Sequence, residues 1–316
     1  MRRVLDSEIV QVDVSGSSAR MLSREVNSSL RGLGIEMTIR PFRFREFLRH
    51  CGEEPRAEPR RWSAEERSLV EKRFGEYLVG GGFPEAQGLT RALGVELLQG
   101  HLDTVLFRDV LERYGVSQVS ALRWIIRYCL RNPAGNMSVH PLFLDLKAQG
   151  HAVSKDSVHA LLGHLVDAYL LQAVPLHTAS ERRRNSNPRK MYPVDPGLIH
   201  AFDASGRGNT GRALETAVFN ELQRRCADAA YVRTAEGFEV DFLAAYRDGR
   251  RELQQVCADP TTAEAREREM WALADAAKTQ PKLPAALLVL TQKQAIALAG
   301  SGFKVMPAYE WMLGQR

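Results

Sequence analysis

The stretch "GFEVDFLAAYRDGRRELQQVCAD" at residues 237–259 contains two extended runs joined by a polar turn. The first run carries Asp241 between two apolar residues, and the second run carries Gln255 and Cys257. Two such runs around a polar turn predict neighbouring strands of a β-rich unit. An acidic side chain among apolar neighbours in a strand costs free energy unless it binds something. We therefore expect Asp241 to belong to a site.

A third element supplies another carboxylate to the same place. The stretch "RALETAVFNELQRRC" predicts a helix before the strands, and it carries Glu215 on a face that can meet Asp241 and Gln255. Two carboxylates and an amide oxygen suit Mg²⁺ or Mn²⁺, which prefer hard oxygen ligands. Metal-dependent nucleases arrange acidic residues in this way. We predict Glu215, Asp241 and Gln255 as the catalytic and metal-binding residues of a nuclease-like site.

Cys257 departs from this nuclease pattern. A nuclease of this kind has a lysine at that position, which orients water and stabilises developing negative charge. A thiol, with a pKa of about 8.5, is mostly neutral at pH 7. One interpretation is a degenerate site whose acids are hydrogen-bonded for structural reasons. The alternative is an active site in which another cation, such as Arg251 or Arg266, replaces the lysine.

Composition limits the class of protein. A length of 316 residues, with 44% hydrophobic and 26% charged residues, predicts a globular chain of two or three domains. The net charge of +5 permits nucleic acid as a partner. The four cysteines are scattered without a CxxC pair, which argues against zinc or a disulfide framework. No apolar run approaches the roughly 18 residues of a membrane span. We expect a cytoplasmic protein.

Residues 117–194 form a different pattern. Three helical runs follow in quick succession, and then two extended runs flank the basic tip "ERRRNSNPRK" at residues 181–190. Three helices and a hairpin are typical of a winged helix, in which the tip is the wing. Cations on such a tip can contact phosphates. The predicted DNA-binding residues are Arg182, Arg183, Arg184, Arg189 and Lys190. A solvated loop is the alternative interpretation.

Several stretches together resemble one family. They include "SGSSARMLSREVNSSLRG" at 15–32, "YLVGGGFPEA" at 77–86, "KMYPVDPGL" at 190–198, "GRALETAVFNEL" at 211–222 and "GFEVDFL" at 237–243. The chain resembles the bacterial and archaeal AAA-type ATPases that carry the C-terminal domain of unknown function 4143. This resemblance implies an ATPase module, a winged helix and a C-terminal domain similar to PD-(D/E)XK nucleases.

The chain departs from that family at the nucleotide site. It contains no GxxxxGK[ST] phosphate loop, and Leu33 stands where many members have an arginine. Ser17 and Ser18 match the family's sensor-like turn and are the cofactor-binding candidates that the resemblance implies. The glycines of "VGGGF" at 79–83 are followed by no lysine, so we predict a structural turn there. ATP is expected only if an N-terminal segment is missing from this chain.

These observations predict an α+β multidomain protein. Residues 1–116 are the expected C-terminal remnant of an AAA-type ATPase module with a helical linker, 117–205 a winged helix, and 206–316 a restriction-endonuclease-like α/β domain. The expected function is that of a DNA-associated family member that does not hydrolyse ATP and has a degenerate nuclease-like domain. The alternatives are a metal-dependent nuclease acting on DNA, and a protein-interaction module or fragment of a full-length ATPase. A protein partner or a second copy of the chain is the other expected partner.

Overall fold

The computed structural model describes residues 13, 15–16, 37–186, 188–203, 209–225 and 227–314. Ser17 and Ser18 lie outside these residues. The described chain contains helices and two β-sheets, in agreement with the predicted α+β class. Within the described ranges, no helix is both long and apolar enough to cross a membrane.

The N-terminal part of the described chain is helical. Its helices are α1 (Phe44–His50), α2 (Ala64–Gly80) and α3 (Arg91–Val105), which continues as a π-helix over Leu106–Glu112, with short 3₁₀ turns at Pro59–Arg61 and Pro84–Ala86. A capping box starts α2: the Ser63 hydroxyl accepts from the Glu66 N–H, and the Glu66 carboxylate accepts from the Ser63 N–H. This exchange satisfies two N–H groups that the first turn of a helix leaves without partners.

The middle part has the three helices and the hairpin that the sequence predicts. Its elements are α4 (Val119–Arg131), β1 (Asn136–Met137), α5 (Val139–Ala148), α6 (Lys155–Asp167), β2 (Leu171–Val174), α7 (Glu181–Ser186), β3 (Arg189–Pro193) and α8 (Gly197–Ala201). The three strands form an antiparallel sheet in the order β1-β3-β2, so β3 is the central strand. The short helix α7 lies at the tip of the hairpin between β2 and β3.

The C-terminal part contains a five-stranded sheet in sequence order. Its elements are α9 (Thr210–Arg224), β4 (Asp228–Arg233), β5 (Glu239–Ala245), β6 (Arg251–Cys257), α10 (Ala263–Thr279), β7 (Ala285–Val289), α11 (Gln292–Ala297), β8 (Lys304–Pro307) and α12 (Ala308–Leu313). Strands β4, β5 and β6 are antiparallel, whereas β6, β7 and β8 are parallel. The sheet is therefore mixed.

Three apolar clusters hold these elements together. In the first, α1 and α2 pack with α9, α12 and one face of the five-stranded sheet, with Phe44, Phe74 and Phe242 among its residues. The second joins α3 to the helices and hairpin of the middle part. The third lies between α10 and the other sheet face. The described residues assigned to the unit 1–116 are thus divided between two cores, and the boundaries at 116 and 205 stay a prediction.

The three glycines at 80–82 form a turn that packs against residues 195–197. The buried Asp195 carboxylate accepts from the Gly82 N–H at 2.7 Å and from the Gly197 N–H at 2.8 Å. A Cβ atom at Gly81, where φ is +77°, would lie 1.9 Å from the Asp195 Oδ1 atom, and one at Gly82 would lie 2.1 Å from the Phe42 carbonyl oxygen. This close approach explains the glycines at 81 and 82, and the structure contains a turn at this point, as the sequence predicts.

We predict that Asp195→Ala lowers the free energy of unfolding by about 2–4 kcal/mol, because two buried N–H groups lose their acceptor. Urea denaturation at pH 7.5 measures this loss. The control is Glu181→Ala on the exposed hairpin tip, which should stay within about 0.5 kcal/mol of the parent. A variant as stable as that control would show that Asp195 does not fasten the two segments.

Candidate functional site

An open cleft of about 940 Å³ lies beside the N-terminal end of α9. Glu215, Asp241, Gln255 and Cys257 all line it, so the structure brings together the residues that the sequence singled out. Lys190 lines the same cleft. The cleft is therefore built from α9, β5 and β6 of the C-terminal part together with β3 of the hairpin.

Asp241 and Gln255 lie where the ladder between β5 and β6 ends. The last ladder pair is Phe242 with Gln254. Beyond it, the Asp241 N–H donates to the Gln255 Oε1 atom at 3.1 Å, and the Val256 N–H donates to the Asp241 Oδ2 atom at 3.0 Å. Both side chains thus take the place of main-chain acceptors. This gives the two residues a structural role in the sheet.

Lys190 is the central cation of the cleft. Its Nζ atom lies 3.1 Å from Glu215 Oε1, 2.9 Å from Glu239 Oε1 and 2.9 Å from Asp241 Oδ1. The lysine is only 3% exposed. The prediction that Lys190 belongs to an exposed basic tip is wrong, because β3 is a central strand and directs this side chain, like that of Tyr192 two residues later, toward Glu215.

The other cations predicted at the tip are on the surface. Arg182, Arg183, Arg184 and Arg189 are all exposed. The Arg184 guanidinium lies 3.9 Å from the Glu181 carboxylate one helical turn earlier. A pair at that distance on an exposed tip contributes little stability, so Arg184 remains available to an outside partner.

Further donors engage the carboxylates around Lys190. The Tyr192 hydroxyl donates to Glu215 Oε1 at 2.7 Å, and the Asn136 amide donates to Glu239 Oε2 at 3.1 Å. On the other side of the cleft, the Gln255 amide donates to Glu269, which also accepts from Arg268 at 2.6 Å. The carboxylates therefore form a connected network whose donors come from both the hairpin and the C-terminal part.

Burial and charge shift the pKa values of this network in different directions. Burial and the nearby Asp241 charge raise the pKa of Glu215 to about 7, although Lys190 and Tyr192 oppose them. Burial lowers the pKa of Lys190, but the surrounding negative charges outweigh burial and hold that pKa well above its ordinary value. The charge of Asp241 contributes most to this increase. Burial raises the pKa of the Cys257 thiol to about 11. At neutral pH, Lys190 is the charged cation and Cys257 is a neutral thiol.

The residues of the cleft do not fit the divalent ion that a nuclease-like site implies. Both Asp241 oxygens, Glu215 Oε1 and Gln255 Oε1 already accept hydrogen bonds from protein donors. The Lys190 ammonium lies between the carboxylates, where Mg²⁺ would need oxygens at about 2.0–2.1 Å. In the described part of the chain, no group of three or more His, Cys, Asp or Glu residues is arranged to hold a metal ion.

Sequence reasoning missed Lys190, Tyr192 and Glu239 as members of this site. The signal was present for Lys190. It lies in "RKMYP", where the following Met191, Tyr192 and Pro193 are all buried. A charged residue that begins such a run calls for a partner, as Asp241 does in "EVDF". Its partners, however, come from 25 and 51 residues further along the chain. Only the fold could identify them.

Comparison with known protein families finds two matches, and both are to domains of unknown function. Residues 71–209 match the family model "Domain of unknown function (DUF8612)", and residues 210–311 match "Domain of unknown function (DUF4143)". The expected resemblance to the second of these is confirmed over its matched range. The first match begins within α2 and runs through α8, so it crosses residue 116, and the second begins at the first residue of α9.

The curated relatives are uncharacterized. The chain is 30% identical over 262 residues to "Uncharacterized protein MJ1544" of Methanocaldococcus jannaschii, which covers 81% of this chain and 57% of that protein. It is 27% identical over 236 residues to an "Uncharacterized protein" of Haemophilus influenzae, covering 74% of this chain and 56% of that protein. The chain thus spans little more than half the length of these relatives. No solved structure matches it significantly.

We predict that Glu215 makes folding stability fall as the pH rises. The folded protein keeps the Glu215 proton up to pH about 7, whereas the unfolded chain releases it near 4.5. The resulting stability is fully present below pH 4.5 and is lost as the pH rises through 7, by at most about 3 kcal/mol. Glu215→Gln, which cannot titrate, should lack this loss.

Urea denaturation of both proteins from pH 4.5 to 8 measures the difference. Burial also raises the pKa of Asp195, to about 6. Its effect on the pH dependence of stability is the same in both proteins and cancels in the comparison. Parallel stability curves for the parent and Glu215→Gln would contradict the prediction.

Proposed function

We propose that this chain is a nucleic-acid-associated protein whose nuclease-like cleft does not cleave. The observation that carries the proposal is the Lys190 ammonium within hydrogen-bonding distance of Glu215, Glu239 and Asp241. Both oxygens of Asp241 already accept from protein donors, one from Lys190 and the other from the Val256 N–H. The cleft keeps the residues of a nuclease-like site and uses them to stabilise the fold.

The electrostatics of cleavage support the same conclusion. Phosphodiester cleavage needs an oriented water molecule and positive charge where the transition state gains negative charge. Cys257 supplies no such charge, because its thiol is neutral at physiological pH. Lys190 carries a positive charge, but three carboxylates already surround it. Its field therefore acts mainly on these protein groups.

The hairpin tip supports association with nucleic acid. Arg182, Arg183 and Arg184 lie on the exposed helix α7, and Arg189 is exposed at the start of β3. Arginines presented on a protruding tip can reach successive phosphates of a duplex. The net charge of +5 favours approach to a polyanion. We propose this tip as the nucleic-acid contact of the chain.

The wider family context belongs to the same proposal. The resemblance to AAA-type ATPases suggests that the chain is related to nucleotide-dependent proteins, but it has no phosphate loop in its sequence. We propose that it does not hydrolyse ATP as it stands, that it acts in the cytoplasm, and that a longer relative or a second copy is its protein partner. Ser17 and Ser18 stay candidates for the nucleotide contact that the resemblance implies.

A metal-dependent nuclease acting on DNA is the second candidate, and two observations favour it. Lys190 brings an ammonium group next to Glu215 and Asp241, so the cation that Cys257 fails to provide comes from β3. The cleft is also open and large enough for a nucleotide. The sequence suggested Arg251 or Arg266 as the cation that replaces the missing lysine. Both of those arginines are exposed, and the cation next to the carboxylates is Lys190.

We predict that replacing Arg182, Arg183 and Arg184 together by alanine weakens duplex binding. Each lost phosphate contact should reduce the slope of log affinity against log salt by about 0.9. Fluorescence anisotropy with a labelled duplex, titrated at several salt concentrations, measures this slope. The control replaces three exposed arginines elsewhere, Arg56, Arg60 and Arg61. If both triple variants keep the slope of the parent, the tip is only a solvated loop.

We predict that the parent protein does not cut DNA in Mg²⁺ or Mn²⁺. Supercoiled plasmid and linear duplex should remain intact, just as with Asp241→Ala, when each is followed by gel electrophoresis. The reason is that the cleft oxygens are engaged by protein donors. Metal-dependent cutting by the parent that disappears in Asp241→Ala would instead establish the nuclease.

A further inference from the structure

Lys190 is a residue of the hairpin, but its ammonium group contacts residues of the C-terminal part of the protein. Strand β3 pairs with β1 through Lys190 and Asn136, and with β2 through Lys190 and Val174. The backbone of this residue is thus fixed on both sides within the small sheet. Its Nζ atom nevertheless contacts carboxylates of α9 and β5. Lys190 therefore connects the two sheets of the molecule through a single side chain.

Lys190 is the cation nearest to all three carboxylates among the described residues. Arg212 reaches Glu215 only at 3.9 Å, and Arg233 reaches Glu239 only at 3.6 Å, and both arginines are more than 40% exposed. Asp241 is 11% exposed at its side chain and pairs with Lys190. Without Lys190, the carboxylates would repel one another in a place that water reaches poorly.

We infer that the Lys190 ammonium takes the place of the divalent ion in this cleft and fastens the β2–β3 hairpin to the C-terminal sheet. An ion coordinated at about 2.0–2.1 Å needs the same oxygens that the ammonium contacts at 2.9–3.1 Å, so the two cations exclude each other. The inference concerns the cleft alone and does not depend on nucleic-acid binding.

Two consequences follow for a protein in which the ammonium is removed. Lys190→Met keeps most of the length and apolar stem of the side chain but leaves Glu215, Glu239 and Asp241 without their shared cation. The variant should be less stable than the parent, because repulsion among buried carboxylates is no longer offset. It should also bind a divalent ion that the parent excludes, because such an ion relieves the same repulsion.

The experiment titrates purified protein with Mn²⁺ and follows the free ion by electron paramagnetic resonance, alongside thermal unfolding with and without Mn²⁺. Lys190→Met should bind Mn²⁺ at least about tenfold more tightly than the parent, since a like charge next to the ion has been removed. Mn²⁺ should raise the Tm of Lys190→Met and leave the Tm of the parent unchanged. Both gains should disappear in the double variant Lys190→Met with Asp241→Asn.

A second variant covers the case in which Lys190→Met does not fold in the absence of metal. Lys190→Met with Glu239→Gln removes one repelling charge and keeps Glu215 and Asp241 as ligands. It should fold and should show the same gain in Mn²⁺ affinity. Mn²⁺ added during refolding should also increase the yield of Lys190→Met, because the ion replaces the missing cation.

Three results would overturn the inference. The first is a parent protein that binds Mn²⁺ as tightly as Lys190→Met, since the ammonium would then exclude nothing. The second is a pair of folded variants that gain no Mn²⁺ affinity. The third is a pair of variants that stay unfolded with and without Mn²⁺. None of these measurements uses DNA, so their failure is separate from failure of the proposed nucleic-acid function.

Discussion

The ion pairs of Lys190 with three carboxylates are the interaction on which the arrangement of the cleft depends. Burying an ammonium group and carboxylates together costs desolvation free energy, and only close, well-directed contacts repay that cost. Here each contact is about 3 Å long. The Tyr192 hydroxyl also donates to Glu215, and the Val256 N–H donates to Asp241. Removing Lys190 would leave three carboxylates close together without their shared cation. The cleft is therefore a tightly coupled unit in which several elements must be in place together.

This coupling explains how the hairpin joins two apolar cores. Along β3, Met191 packs into the helical cluster of the middle part, whereas Tyr192 packs into the cluster shared with α9 and the five-stranded sheet. Neighbouring polar contacts strengthen the connection: the Gln172 amide donates to the Asn220 side chain, which in turn donates to the Val194 carbonyl oxygen. Asp195, one residue further along, then holds the glycine turn that follows α2. The segment from Lys190 to Asp195 thus contacts the N-terminal, middle and C-terminal parts of the described chain.

Much of the local structure could be predicted from the sequence, because it depends on local signals. The alternation around Asp241 predicted β5 and β6, and the three helical runs and basic tip predicted the middle part. The grouping of Glu215 with Asp241 and Gln255 was also predicted, since a helix and two adjacent strands readily meet at one sheet edge. The location of Lys190 could not be predicted from charge patterning. That patterning counts Lys190 with its basic neighbours in the chain, whereas the alternation of a central strand turns it away from them.

The packing of the N-terminal part could not be predicted from the sequence either. Helices α1 and α2 belong to the expected ATPase remnant of residues 1–116, and in the structure they pack on α9 and α12. Their apolar faces carry no information about which distant surface will cover them, because burial of apolar area is non-directional. Glycine at 81 and 82, by contrast, was interpretable in advance. A glycine-rich turn without a following lysine lacks the charge that phosphate binding needs. The turn needs glycine because a side chain at Gly81 would clash with Asp195.

The distribution of charge separates the two surfaces that could meet nucleic acid. Four exposed arginines lie at the hairpin tip, whereas the cleft is lined by five acidic residues and three basic ones. A phosphate backbone is attracted to the first surface and repelled by the second unless an added cation reverses the sign. Lys190 lowers the negative charge of the cleft without reversing it, because its own charge is shared among three carboxylates. This charge distribution supports the proposal that a nucleic acid would contact the tip, while its phosphodiester groups stay away from the acidic residues of the cleft.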